Sequence, residues 1–127
     1  MNKKIFYTLM FVFWLAVIFS FSSIPDLKSS LPSKYDFILR KFAHFMEYFI
    51  LMFFSLKIFA HEELKNKKFD HKILFAFLIV FLYASSDEFH QSFVIDRHFA
   101  IRDILIDFSG GIACYLSLRF LDKKISL

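Results

Sequence analysis

The sequence contains little cysteine, glycine or proline: one cysteine, two glycines and two prolines occur among 127 residues. Because Cys114 is the single cysteine, a disulfide within the chain is excluded, and cysteine usage does not indicate a redox compartment. The sequence also has no internal repeat, no low-complexity tract and no linker long enough to separate domains. These absences argue against a multidomain arrangement, and we expect a single domain over residues 1–127.

Apolar residues dominate the composition. The chain is 57% hydrophobic and 21% aromatic, with 21 phenylalanines, whereas about 45–50% apolar residues is usual in soluble domains. A soluble domain this short leaves much of its surface in water, so lipid is the easier environment for these side chains. Four apolar stretches approach the ~20 residues that a helix needs to cross a bilayer. They cover about residues 5–23, 37–60, 73–93 and 101–121.

These stretches predict an all-α, polytopic membrane protein with four transmembrane helices. The first stretch is longer than the ~7–15 residues of a signal-peptide core, and no A-x-A-like site follows it, so we expect it to be retained. Of the 16 lysines and arginines, ten lie near the termini and the middle loop, and six lie on the other side. This bias predicts that both termini are cytoplasmic in a multi-pass protein of the cell membrane. We therefore interpret the net charge of +4 as basic residues that contact the membrane surface, and not as a nucleic-acid-binding site.

With this topology, ionisable residues from three separate segments lie at the same outer depth of the membrane. The inner halves of the same helices are almost purely apolar. An ionisable group at the centre of a membrane helix costs at least ~2.5–3.5 kcal/mol, so such a set implies mutual pairing or a water-filled pocket. The groups are Lys41, His44 and Glu47; Asp87, Glu88, His90 and Gln91; and Arg102, Asp103 and Asp107.

The fourth stretch carries a stripe of acidic and small residues. At 100° per residue, the stripe lies within about 80° of the helix circumference. Small residues let helices approach closely in lipid, so the stripe predicts that its two acids face a neighbouring helix. Its members are Asp103, Asp107, Gly110, Cys114 and Ser117.

Three segments, in the order "RKFAHFMEYFIL", "LYASSDEFHQSF" and "RDILIDFSGG", resemble the VanZ-like family of small bacterial membrane proteins. The resemblance covers about residues 20–113. It implies a cell-envelope protein and a link to resistance against teicoplanin, a lipid-tailed glycopeptide that targets cell-wall precursors. Many relatives have Pro-Gly before the loop arginine, where this chain has Ile95 and Asp96. The family's polar positions correspond here to Lys41, His44, Tyr48, Asp87, Glu88, Gln91, Arg97, Asp103, Asp107 and Gly110.

Two kinds of site can use these residues. His44, Asp87 and Glu88 are candidates for general acid–base catalysis, although interhelical polar contacts alone would also explain them. The acids could also bind a divalent metal, but no H-E-x-x-H-like spacing occurs, and we favour ion pairing over a metal. The candidate ligand-binding residues are Lys41, Tyr48, Gln91, Arg97, Arg102, Asp103 and Asp107.

The sequence therefore predicts a cell-envelope membrane protein with an outer-leaflet pocket for a lipid-linked or amphiphilic ligand. Lys41, Arg97 and Arg102 would hold an anionic headgroup. The expected partner is a membrane lipid or a lipid-linked cell-wall precursor. Chemical modification of the ligand, the cofactor and the oligomeric state are left open. The alternative is a non-catalytic binding or structural protein whose charges are only interhelical ion pairs.

Overall fold

A computed structural model describes residues 1–24, 33–66, 68–95 and 98–125. Its helices are α1 (Lys3–Ser22), α2 (Ser33–Phe59), α3 (His61–Lys65), α4 (His71–Gln91) and α5 (Ile101–Ile125). No strand occurs among the described residues. The all-α prediction is therefore confirmed.

Four of the described helices are long and apolar enough to cross a membrane. They are Lys3–Ser22, Lys34–Phe59, His71–Gln91 and Ile101–Leu121. The short α3 lies between the second and third of them. The predicted fold, a polytopic membrane protein with four transmembrane helices, is confirmed, whereas the cytoplasmic location of the termini stays a prediction.

Three helices, α1, α2 and α4, begin earlier than their apolar stretches indicate, and in α1 and α4 a polar side chain caps the first turn. The Asn2 side chain accepts a hydrogen bond from the backbone N–H of Lys4 at 2.9 Å. The Asp70 side chain accepts one from the backbone N–H of Lys72, also at 2.9 Å. Such caps satisfy N–H groups that have no partner within the helix. As a result, α1 and α4 each start at the residue after the cap.

Helix α2 is the centre of the bundle. It packs most extensively against α5 and makes smaller interfaces with α4 and α1. Its Tyr48, Leu51 and Leu56 side chains are fully buried. Large apolar side chains on the outer faces of the bundle, such as Phe13 and Leu82, are instead more than half exposed. In a membrane these outer faces contact lipid, which explains the excess of phenylalanine.

Helices α2 and α5 approach most closely at Gly110. A Cβ atom added there would lie 2.1 Å from the carbonyl oxygen of Phe45, closer than any real contact. Only glycine therefore fits between the two backbones at this point. Cys114, one turn further along α5, is also fully buried. The small-residue stripe thus faces the interior of the bundle as far as Cys114 and carries Asp103 and Asp107 toward α2, whereas Ser117, at its far end, is exposed.

Candidate functional site

The first turns of α2 and α5 and the last turn of α4 lie together, at what we call the pocket end of the bundle. The Lys41 ammonium on α2 donates a charge-assisted hydrogen bond to Asp103 Oδ1 on α5. Arg102 Nε lies 3.8 Å from the same carboxylate oxygen. Lys41 and Arg102 therefore share the carboxylate of Asp103, and the Lys41–Asp103 ion pair joins α2 to α5.

A pocket of about 250 Å³ opens beside this ion pair. Its lining includes the Phe37 ring, which lies under both cations. The distances from the ring centroid are 5.3 Å to Lys41 Nζ and 5.4 Å to the Arg102 guanidinium carbon. Basic side chains outnumber acidic ones in the lining. The lining residues are Phe37, Arg40, Lys41, His44, Gln91, His98, Ala100, Arg102 and Asp103.

A second cluster of polar side chains lies between α2, α4 and α5, about one helical turn further into the bundle than the Lys41–Asp103 pair. His44 Nδ1 is 3.6 Å from Asp107 Oδ1 and also 3.6 Å from Glu47 Oε2. The Tyr48 hydroxyl donates a hydrogen bond of 2.9 Å to Asp87 Oδ2. One ligand atom each from His44, Asp87 and Asp107 lies within 4.8 Å of the others. This donor set, which we call the buried triad, has the chemistry to hold a metal ion.

The end of α4 fixes the segment that leads into α5. Glu88 Oε1 accepts a hydrogen bond of 2.9 Å from the backbone N–H of Ala100, the residue before α5. The Glu88 side chain is buried. This contact places the first turn of α5, and with it Arg102 and Asp103, against the pocket.

The last turn of α1 closes one side of the pocket end. Gln91 Nε2 donates to Ser22 Oγ at 3.3 Å. The Ser23 hydroxyl and His90 Nε2 form a hydrogen bond of 3.0 Å. The His90 ring stacks on Phe19 with 4.6 Å between centroids. These contacts hold α1 against α4 beside the pocket.

The candidate residues divide between two layers of the pocket end. The pocket lining contains Lys41, His44, Gln91, Arg102 and Asp103. The layer behind it contains Tyr48, Asp87, Glu88 and Asp107, all buried. Arg97 lies outside the described residues. Of the three acid–base candidates, His44 is the one that lines the pocket, and its Nδ1 atom lies 3.6 Å from Asp107 in the layer behind.

Two ionisable residues that line the pocket, Arg40 and His98, were not assigned to it from the sequence. Arg40 is half-buried and forms an ion pair of 3.1 Å with Asp36, one turn earlier on α2. His98 lies in the connection between α4 and α5. In the sequence, only their positions relate them to the pocket. Arg40 directly precedes Lys41, and His98 is two residues before Ala100, whose backbone N–H contacts Glu88.

Comparison with known proteins gives one match. A protein-family model described as VanZ/LLP1 matches residues 3–122, which is nearly the whole chain. No curated protein and no solved structure matches the chain.

Proposed function

The chain belongs to the VanZ/LLP1 family, and we propose that it is a cell-envelope membrane protein that binds the anionic headgroup of a lipid-linked or amphiphilic ligand in the pocket. The link between this family and teicoplanin resistance is a property of the family. We extend it to this chain only as part of the proposal.

The charge of the pocket is the observation that carries the proposal. Its ionisable lining residues are Arg40, Lys41, His44, His98 and Arg102, with Asp103 as the acid. Guanidinium groups and ammonium groups form strong, charge-assisted hydrogen bonds to phosphates. An anionic headgroup is therefore the ligand chemistry that this lining favours.

The two cations nearest the rim differ in availability. The Arg102 side chain is 66% exposed, whereas the Lys41 side chain is 23% exposed and directly bonded to Asp103. Arg102 can therefore turn to a ligand without breaking a close ion pair. Lys41 would stay in place and contribute its charge, while Asp103 keeps it oriented.

Apolar side chains beside the pocket suit the remainder of an amphiphilic ligand. Phe42 follows Lys41 on α2 and is 58% exposed, and Leu105 on the first turns of α5 is 62% exposed. An acyl or prenyl chain could pack against these faces in the bilayer while its headgroup enters the pocket. We place this end in the outer leaflet because the positive-inside bias puts the opposite end in the cytoplasm.

Binding is the part of the proposal with the most support, and chemistry is its extension. His44 is the acid–base candidate that lines the pocket, and Asp87 and Glu88 stand behind it in contacts with Tyr48 and Ala100. If the ligand is modified, His44 transfers the proton. The alternative function is a non-catalytic binding or structural protein, which predicts no product.

The test uses the purified chain and a polyprenyl pyrophosphate, with the uncharged polyprenol as the ligand control. We expect the pyrophosphate to bind and the alcohol not to bind. Charged hydrogen bonds are worth about 1.5–3 kcal/mol, so Lys41→Gln or Arg102→Gln should each weaken binding by about 10-fold or more. Equal binding of both lipids would contradict the proposal.

A matched protein control lies at the opposite end of the bundle. A pocket of about 310 Å³ there is also basic, with Lys3, Lys4, Lys57 and His61 in its lining. Lys57→Gln removes one charge without touching the proposed site, and it should leave binding unchanged. Mass spectrometry of the lipid after incubation then tests for chemistry. A product that disappears in His44→Gln indicates an enzyme, and intact bound lipid indicates a binding protein.

A further inference from the structure

We propose that the buried triad of His44, Asp87 and Asp107 binds one divalent transition-metal ion between α2, α4 and α5. The inference goes beyond the proposed function and does not depend on it. With an ion on its Nδ1 atom, His44 would act as a metal ligand and not as the group that transfers a proton. It begins from geometry: one ligand atom from each side chain lies within 4.8 Å of the other two. The three side chains come from three different helices, so the ion would join them.

The donor set suits zinc or a similar ion. Zn²⁺ binds imidazole nitrogen and carboxylate oxygen at about 2.0–2.2 Å, usually as a tetrahedron. In a tetrahedron of that size, neighbouring ligand atoms are about 3.4 Å apart. The separation of His44 Nδ1 and Asp107 Oδ1, 3.6 Å, is close to this value. The Asp87 oxygen lies within 4.8 Å of the other two ligand atoms and would have to move closer to occupy the third corner of the tetrahedron, with the fourth corner left for water.

The Asp107 side chain is the second observation that indicates a cation. It is 2% exposed. Its Oδ1 atom is buried and has no hydrogen-bond partner among the described residues. This is also the oxygen that faces His44. A buried carboxylate oxygen without a hydrogen bond is costly, and a metal ion at this point would remove that cost.

The lysines and arginines that the structure describes at the site do not pair with these two acids. Lys41 and Arg102 both approach Asp103, which lies one turn nearer the start of α5 than Asp107 does. Within the described part of the chain, neither Asp87 nor Asp107 forms a salt bridge with a lysine or arginine. Ion pairing, which the sequence favoured, therefore accounts for Asp103 and leaves these two acids. A divalent cation carries the charge that would balance both.

Tyr48 orients Asp87, the third proposed ligand, through a hydrogen bond. Its hydroxyl, which is fully buried, donates to Asp87 Oδ2 and leaves the other carboxylate oxygen for the ion. Hydrogen bonds of this kind orient metal ligands and are worth about 10–100-fold in metal affinity. His44 also lines the pocket, so the pocket provides the path by which an ion enters.

Metal binding can be measured with the purified full-length chain and no lipid. The protein is stripped with a chelator, dialysed against Zn²⁺ or, in parallel, Mn²⁺, and analysed for metal by mass spectrometry. We expect one ion per chain of at least one of the two metals. Asp107→Asn and His44→Gln should abolish this binding, and the visible absorption bands of the Co²⁺-loaded parent should be absent from both variants.

Two further variants separate a metal site from a general need for charge. Asp103→Asn removes an acid from the same helix but outside the triad, and it should retain one ion per chain. Tyr48→Phe keeps all three ligands and should bind the metal about 10–100-fold more weakly. Absence of stoichiometric metal in the unaltered protein overturns the proposal. So does an Asp107→Asn variant that binds as well as the parent, or a Tyr48→Phe variant with unchanged affinity.

Discussion

Replacement of Gly110 by alanine should push α5 away from α2. The added Cβ would lie 2.1 Å from the Phe45 carbonyl oxygen, and real Cβ atoms do not approach closer than 3.0 Å, so the helices must separate by at least 0.9 Å at this point. The obstacle is backbone, which cannot rotate aside. Overpacking of this kind costs about 1–3 kcal/mol. It opposes a gain of up to about 1 kcal/mol from the better helix propensity of alanine.

The adjacent glycine provides a matched control. A Cβ at Gly111 would meet the terminal methyl group of Met52 at 3.1 Å, and a methionine side chain can move by a few tenths of an ångström. Both variants gain the same helix propensity and sit on the same helix. In unfolding by denaturing detergent, we expect Gly110→Ala to be less stable than the parent, by up to about 2 kcal/mol. Gly111→Ala should equal or exceed the parent, and equal stability of the two variants would refute the close approach.

Two further contacts, Tyr83 with Leu15 and Glu88 with Ala100, can be tested by substitution. Tyr83→Phe removes the hydrogen bond of 2.6 Å to the Leu15 carbonyl oxygen. The same detergent assay should detect a loss of about 0.6 kcal/mol in the free energy of unfolding. An unchanged free energy would contradict this packing of α1. Glu88→Ala leaves the Ala100 N–H without its acceptor, so it should destabilise by about 1–3 kcal/mol. Glu88→Gln keeps an acceptor and should recover most of that loss, and equal instability of the two variants would contradict the assigned role.

The membrane fold could be predicted because its signal is long-range and simple. Four apolar stretches of helical length need no tertiary information, and the alternation of their directions brings the polar ends of α2, α4 and α5 to one side. Helical phase also indicated that the stripe with Gly110 faces a neighbouring helix. The structure adds the partner: the stripe meets α2 at Phe45.

The pairing of individual side chains could not be predicted in the same way. The rotation of 100° per residue places Asp103 and Asp107 on one face of α5, but it does not determine which acid contacts Lys41 and which contacts His44. That choice depends on how far α5 is rotated and shifted against α2. A shift of one turn in one direction would have paired Lys41 with Asp107, and a shift in the other direction would have paired His44 with Asp103.

Contacts through backbone atoms were also beyond the sequence. Trp14 Nε1 donates to the Glu47 carbonyl oxygen at 2.8 Å, and Tyr83 reaches the Leu15 carbonyl oxygen. Every residue has a carbonyl group, so no residue pattern marks these partners. The same applies to Ala100, whose N–H group, not its side chain, meets Glu88.

The central claim is that the polar ends of α2, α4 and α5 form one pocket that opens on the external face of the membrane. The most direct measurement uses a Cys114→Ala background with cysteines at Lys41 and Asp103, and a membrane-impermeant bismaleimide added to intact cells. We predict a cross-link within the chain, and no cross-link when the cysteines replace Lys41 and Lys57. A Lys41–Asp103 cross-link that forms only in inverted vesicles, or that never forms, would contradict the account.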